Sequence, residues 1–306
     1  MVFLFRAVLT VLVLLFSFPL LAQEGRPVVL VTGASSGIGK ALVERFAKEG
    51  GYKVYGATRQ SNLVGAAAGY ELIQMDPGVT SSVEKAVAAI DKTEQRLDLL
   101  INVAGLMVLG SVESIDPDDQ LLPMFNVNVV GYARTTRAVV PIMRRNGGGR
   151  IINISSIQAL EPRGLQESYS ATRAAIEALS LGQSSYLKDD GIDVLVYEPG
   201  ATRTGLMRFS PMGKHRVVGD KTEHYLPQFV DMLDKRLASG MSPDVVADQI
   251  YHLSRKKQPD FRTVASSAVM QRVEAVYVDP TGNSLREKLK KKYDQFVKDA
   301  LKGASK

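Results

Sequence analysis

The segment Thr32-Gly33-Ala34-Ser35-Ser36-Gly37-Ile38-Gly39 constrains this chain more than any other. It follows an apolar run, residues 28–31. It precedes residues 40–48, where Ala41, Leu42, Val43, Phe46 and Ala47 recur at helical spacing. A buried strand, a glycine turn and a helix, in that order, open a βαβ unit. The glycines permit a tight turn and let a pyrophosphate approach the backbone. The helix N-terminus then offers free N–H groups and a partial positive charge. The constraint is therefore architectural and chemical together.

The alternation continues downstream. Strand-like runs occupy residues 53–57, 71–75, 97–101, 150–154 and 193–197, with helical stretches at 83–89, 121–143 and 169–187. This pattern predicts an α/β fold, a Rossmann-type doubly wound parallel sheet of about seven strands with helices on both faces. Right-handed crossovers place the ligand crevice along the C-terminal ends of the strands. No repeat or low-complexity linker divides the chain, so a single domain is expected over residues 26–280.

Residues 1–22, MVFLFRAVLTVLVLLFSFPLLA, stand apart. One charge, Arg6, precedes an apolar stretch from Ala7 to Ala22, which reads as a signal peptide or a membrane anchor. Sixteen residues fall short of the ~20 that span a bilayer comfortably. Cleavage after Ala22 would put Leu20 where a small residue is preferred, so both readings stay open. The expected location is membrane-associated, in the secretory pathway, or exported. The net charge of +6 does not indicate nucleic acid, because residues 284–306 carry eight Lys/Arg against three acids and hold most of the excess. That basic C-terminal helix or tail, 281–306, reads as a solvated face or a contact with anionic lipid. With no cysteine, and three histidines scattered at 215, 224 and 252, neither a disulfide nor a metal site is expected.

The spacing Thr-Gly-x-x-x-Gly-x-Gly resembles that of the short-chain dehydrogenase/reductase family, and the resemblance runs from about Arg26 to Ala265. Asn102-Val103-Ala104-Gly105 is similar to that family's Asn-Asn-Ala-Gly, with the second Asn replaced. Asn126-Val127-Asn128-Val129-Val130-Gly131, Ile154-Ser155-Ser156, Tyr169-Ser170-Ala171-Thr172-Arg173 and Pro199-Gly200-Ala201-Thr202-Arg203-Thr204 follow in the family's order. The likeness is nearest to the 17β-hydroxysteroid and retinol dehydrogenase branch. It implies a nicotinamide cofactor held by Thr32, Gly33, Ser35, Ser36, Gly37, Ile38, Gly39, Arg59, Asp76, Asn102, Ala104, Gly105, Tyr169, Arg173, Pro199, Gly200, Thr202 and Thr204. It also implies a homodimer or homotetramer built through helices bearing Asn128 and Tyr169.

The second strand-like run ends in Thr58-Arg59 with no acid. An acid there would bind a ribose 2′-hydroxyl, whereas Arg59 suits a 2′-phosphate, so NADP(H) is favoured over NAD(H). Asp76 corresponds to the family's adenine-binding Asp. The next residue, Pro77, lacks the N–H that family members offer the adenine.

The resemblance implies Asn128, Ser156, Tyr169 and Arg173 as the catalytic set. Carbonyl reduction needs a proton donor opposite the hydride. Tyrosine, with a pKa of about 10, needs a nearby cation to serve. Positions 169 and 173 lie four apart and share a helix face. Ser156 would hydrogen-bond the substrate oxygen, and Asn128 would hold a water in the proton path. The departure is Arg173, where the family has Lys. Arginine keeps the charge and can donate to ribose hydroxyls, but it does not release a proton. The activity expected is NADP(H)-dependent carbonyl reduction or alcohol oxidation, and the alternative is an NADP(H)-binding protein with impaired turnover.

Leu206, Met207, Phe209, Met212, Tyr225, Leu226, Phe229 and Met232, with Leu106, Met107 and Leu109, suggest an apolar pocket for a lipophilic substrate of steroid, retinoid or fatty-acyl type. A nucleotide-sugar epimerase of the related extended fold would show different glycine spacing. A scaffold role would leave Ser156 and Tyr169 unexplained.

Overall fold

The computed structural model describes residues 25–215, 219, 221–276 and six positions between 291 and 299. The apolar segment 1–22 lies outside the described residues, as does most of the basic tail. Among the described residues no helix is long and apolar enough to cross a membrane.

Strands β1 (Val28–Thr32), β2 (Lys53–Thr58), β3 (Gly65–Ala67), β4 (Tyr70–Gln74), β5 (Leu99–Asn102), β6 (Gly149–Ile154), β7 (Ile192–Glu198) and β8 (Arg262–Val264) form one sheet in the order β3-β4-β2-β1-β5-β6-β7-β8. Every pairing is parallel except that of β3 with β4. The expected doubly wound sheet of about seven strands is borne out, with eight strands among the described residues. The additions are three-residue edges. β3 reads Gly-Ala-Ala and is exposed, and β8 reads Arg-Thr-Val, so neither carries an apolar run for periodicity to detect.

Strand β1 is buried along its whole length, which is why it reads as an unbroken aliphatic run. Its alternate residues serve two cores. Val29 and Val31 face helices α1 (Gly37–Glu49) and α6 (Pro243–Arg255), packing with Leu42, Phe46, Val246 and Ile250. Val28 and Leu30 face α2 (Thr80–Glu94) and α3 (Gly131–Arg145), packing with Val83, Val87, Val139 and Met143. The long helix α4 (Glu167–Leu187) contributes Leu187 to this second layer. Helices α5 (Leu226–Ala238) and α7 (Ser267–Val276) lie further along the chain. The sheet winds outward in both directions from β1, so the β1/β5 boundary is the switch point where a crevice opens.

The expected helix at 121–143 proves to be a composite. Two π-helical turns, Pro117–Leu121 and Asn126–Val130, flank Leu122–Phe125 and run into α3. Asp116 starts the run by accepting from the N–H groups of Asp118 and Asp119 at 2.9 and 2.8 Å. Such π-turns concentrate at functional sites, and the second one carries Asn128.

Candidate active site

A cleft of about 620 Å³ opens at the switch point. Its floor is the first glycine turn. Gly33 has φ 68°, and a Cβ there would stand 2.9 Å from the Ala104 Cα. A Cβ on Gly39 would come within 2.2 Å of the Gly33 carbonyl oxygen. Helix α1 begins here with no acidic residue in its first turn and no side-chain cap from Ser36, which leaves its N–H groups open to an anion. Gly39→Ala is expected to force the turn apart, weakening NADPH binding by tenfold or more, since overpacking of this kind costs roughly 1–3 kcal/mol. Fluorescence titration of the variant with NADPH checks this.

Sixteen of the expected residues line the cleft: Gly33, Ser35, Ser36, Gly37, Ile38, Arg59, Asp76, Ala104, Gly105, Ser156, Tyr169, Arg173, Pro199, Gly200, Thr202 and Thr204. Thr32, Gly39, Asn102 and Asn128 do not, and the structure gives them supporting places instead. The Thr32 hydroxyl accepts from the N–H groups of Val103 and Ala104 at 2.9 and 3.1 Å, tying β1 to the loop after β5. Asn102 donates to Asn153 at 2.9 Å and accepts from Thr135 at 2.8 Å. Asn153 in turn donates to Ser180, so a buried polar network links β5, β6, α3 and α4. Asn128, fully buried, accepts from the Leu106 N–H at 2.7 Å and donates to the Leu106 carbonyl at 2.8 Å and to Thr172 at 3.0 Å. Its amide thus clamps the 103–106 loop to α4, whereas the sequence suggested a water-holding place.

At the far end of β2, Arg59 is exposed at the cleft wall and makes no side-chain ion pair among the described residues. Asp76 accepts from the Gly78 N–H at 2.8 Å, which orients its carboxylate. Pro77 is buried beside it, and a Cβ on Gly131 would meet the Pro77 ring at 2.9 Å.

The reactive end is built by β6 and α4. Ser156 follows β6 and caps a short 3-10 turn, its Oγ accepting from the Gln158 N–H at 3.2 Å. An accepting hydroxyl still has its own proton to donate. Tyr169, on the first turn of α4, is 9% exposed, and its hydroxyl interacts with the Arg173 guanidinium. Arg173 is buried one turn on, with its guanidinium carbon 4.7 Å from the centre of the Tyr169 ring. Nη1 donates to the Ile154 carbonyl at 3.0 Å, and Nε is buried without a partner. Tyr132 donates to that same carbonyl at 3.4 Å. Burial weighs against the Arg173 charge, but Tyr169 and Tyr132 outweigh it, and the guanidinium pKa stands above its ordinary value. Burial drives the Tyr132 phenol up as well, with Arg173 opposing. Gly105 leaves room for this guanidinium, since a Cβ there would fall 2.4 Å from Nη2.

Sequence reasoning missed several groups in the same cleft: Gln158, Gln166, Arg163, Arg236 and Arg272. They come from separate loops and helices, with no shared spacing to reveal them. Gln166 is buried, with Nε2 against the Met107 sulfur at 3.2 Å and Oε1 unpartnered. Above it, Met107, Leu109, Tyr169, Tyr225, Phe229 and Leu233 form an apolar cap, with Leu206 and Met207 packed on it.

The family model described as short chain dehydrogenase matches residues 27–213. The 3-ketodihydrosphingosine reductase of Bacteroides thetaiotaomicron is 31% identical over 240 residues, which covers 77% of this chain and 86% of the relative. Human 17-beta-hydroxysteroid dehydrogenase type 1 is 30% identical over 277 residues, covering 85% and 83%. A solved short-chain dehydrogenase from Streptomyces avermitilis superposes with a TM-score of 0.71 at 29% identity, covering 88% of this chain and 96% of that one. The chain belongs to the short-chain dehydrogenase family and is an oxidoreductase acting on CH–OH groups.

Proposed function

We propose that this chain is an NADP(H)-dependent reductase of lipophilic ketones or aldehydes, able to run in reverse on the corresponding alcohols. One observation carries the reading. A serine hydroxyl with its own proton to donate and a phenol beside a buried guanidinium line the same cleft as a glycine cradle whose helix N-terminus is open to phosphate. The residues present fit a nicotinamide dinucleotide. The cradle admits no Cβ at Gly33 or Gly39, Asp76 is oriented for an adenine amine, and the Thr202–Thr204 loop faces the reactive end.

A dihydronicotinamide held between the glycine cradle and the Thr202–Thr204 loop would supply hydride to a carbonyl carbon. The Ser156 hydroxyl donates a hydrogen bond to the carbonyl oxygen. The Tyr169 hydroxyl passes its proton to that oxygen, giving the alcohol and leaving a phenolate to be reprotonated from solvent. The Arg173 guanidinium lies against the ring that acquires this charge and does not itself exchange a proton.

Arg59 and the lack of an acid at the end of β2 support NADP(H) over NAD(H). The apolar cap, and relatives named for 3-ketodihydrosphingosine and for a hydroxysteroid, support a lipophilic substrate. Assembly into a dimer or tetramer is part of the proposal, supported by Leu179, Leu181 and Tyr186 exposed on α4. The apolar segment 1–22 supports a membrane-associated or exported location.

The test is turnover of the purified full chain on decanal and a neutral steroid ketone, with NADPH and NADH compared. Sustained NADPH-dependent reduction is expected. Arg59→Ala should reduce the preference for NADPH by roughly tenfold or more, the size of a charge-assisted contact. Equal use of both cofactors by the natural chain would overturn the cofactor assignment.

A further inference from the structure

Among the described residues, the cleft is lined by five arginines and a single carboxylate, that of Asp76. Arg59 and Asp76 belong to the dinucleotide end and Arg173 to the phenol. Arg163, Arg236 and Arg272 remain without a task in the proposed chemistry. They converge from the loop after β6, from α5 and from α7, beside Leu233 and Leu237 of the apolar cap. Arg272 is held by the buried carboxylate of Glu161, with Nε donating at 2.5 Å, and Lys292 pairs with the same carboxylate. Burial opposes the Glu161 charge, but these two cations outweigh it and hold its pKa at about 2. Arg163 and Arg236 have no side-chain hydrogen bond or ion pair among the described residues. Arg163 is half-buried, whereas Arg236 is exposed at the rim. Burial first, then the charges of Arg236 and Arg272, push Arg163 down to about 10, with Glu161 in opposition. Partial desolvation where its side chain meets the cleft wall, and then the charge of Arg272, lower Arg236 as well, again with Glu161 in opposition.

Among the described residues, the Glu161 carboxylate thus faces four cations, Arg163, Arg236, Arg272 and Lys292. Guanidinium groups are the side chains best suited to binding a carboxylate or phosphate by two parallel hydrogen bonds. We propose that Arg163 and Arg236, backed by Arg272, form an anion subsite, so that the substrate is an amphiphile bearing a carboxylate or phosphate remote from its carbonyl. An ammonium at that end of a substrate is repelled. The apolar cap holds the chain between the two polar ends. This inference rests on the reading of the cleft as a carbonyl reductase site.

The test uses the full-length protein with ω-oxo fatty acids of graded chain length and their methyl esters. Alongside these, decanoate, decyl phosphate and decanol are titrated calorimetrically as unreactive probes. The acids should exceed their esters in kcat/KM by roughly tenfold to hundredfold, the range for hydrogen bonds to charged groups. Decanoate or decyl phosphate should outbind decanol, and the stronger of the two identifies the anion. The acid-over-ester ratio should collapse in Arg163→Gln with Arg236→Gln, and survive in Arg163→Lys with Arg236→Lys. Equal kcat/KM for acid and ester, together with equal binding of anion and alcohol, would overturn the subsite while leaving the reductase reading intact. Tight anion binding that the glutamine pair removes, without turnover of any carbonyl, would sustain the subsite and remove the reductase reading. Should the glutamine pair fail to fold by circular dichroism, the natural chain and the lysine pair still decide.

Discussion

Replacing Tyr169 with phenylalanine is expected to lower kcat for carbonyl reduction by roughly 10²–10⁴, the usual contribution of a positioned general acid. The structure makes this a clean experiment. The Tyr169 hydroxyl meets the Arg173 guanidinium, which keeps its bond to the Ile154 carbonyl when the hydroxyl is removed. The ring itself is retained, and with it the apolar cap and the face on which the Arg173 guanidinium sits 4.7 Å from the centroid. Affinity for NADPH should change by about tenfold at most, the effect of one lost hydrogen bond. Steady-state kinetics with decanal, beside fluorescence titration of NADPH, separate the two quantities. A phenylalanine variant that turns over at the natural rate would mean that the proton comes from elsewhere, and the assignment of the site would fail.

Arg173→Met should lower kcat by roughly a hundredfold, comparable to the removal of one charge-stabilising donor from an active site. Arg173→Lys should stay within about tenfold of the natural chain, because a cation remains beneath the phenol. The position of the guanidinium sets both magnitudes. It is buried, it donates to the Ile154 carbonyl, and it faces the ring whose oxygen gains charge as the proton leaves. Methionine fills similar space without that charge. Lysine supplies a point charge and loses the planar fork. If the methionine variant matched the natural enzyme, the guanidinium would be a packing group. If the natural chain were inactive and the lysine variant active, the arginine would be an impairment, and the protein a dinucleotide binder with its chemistry suppressed.

The glycine turn was legible because its requirements are local. Gly33 adopts a positive φ, and Gly39 sits against the backbone of the same turn, so the residues that need glycine lie a few positions apart. The strands from β1 to β7 that lie inside the sheet were legible for a related reason. Burial on both faces leaves continuous aliphatic runs, whereas edge strands β3 and β8 leave none. Asn128 shows where local reading stopped. Its motif located it, but only the fold shows its amide occupied by both backbone groups of Leu106 and by Thr172. The helix bearing it contains π-turns, which displace side chains from the regular spacing assumed in a sequence pattern.

From the order of residues alone came the sheet-and-helix architecture, the dinucleotide cradle, and the helical pairing of Tyr169 with a cation at 173. Each depends on neighbours within a few positions, where backbone geometry fixes which side chains meet. Tertiary structure alone decided that Arg173 points at Ile154 and the phenol ring. It also decided that Thr32 and Asn102 support the site from below, and that Arg163, Arg236 and Arg272 gather in one cleft. Those arginines are as many as 109 positions apart in the chain. Charges so distant in sequence become neighbours only when packing brings a loop and two helices to the same wall, and no pattern in the sequence encodes that meeting.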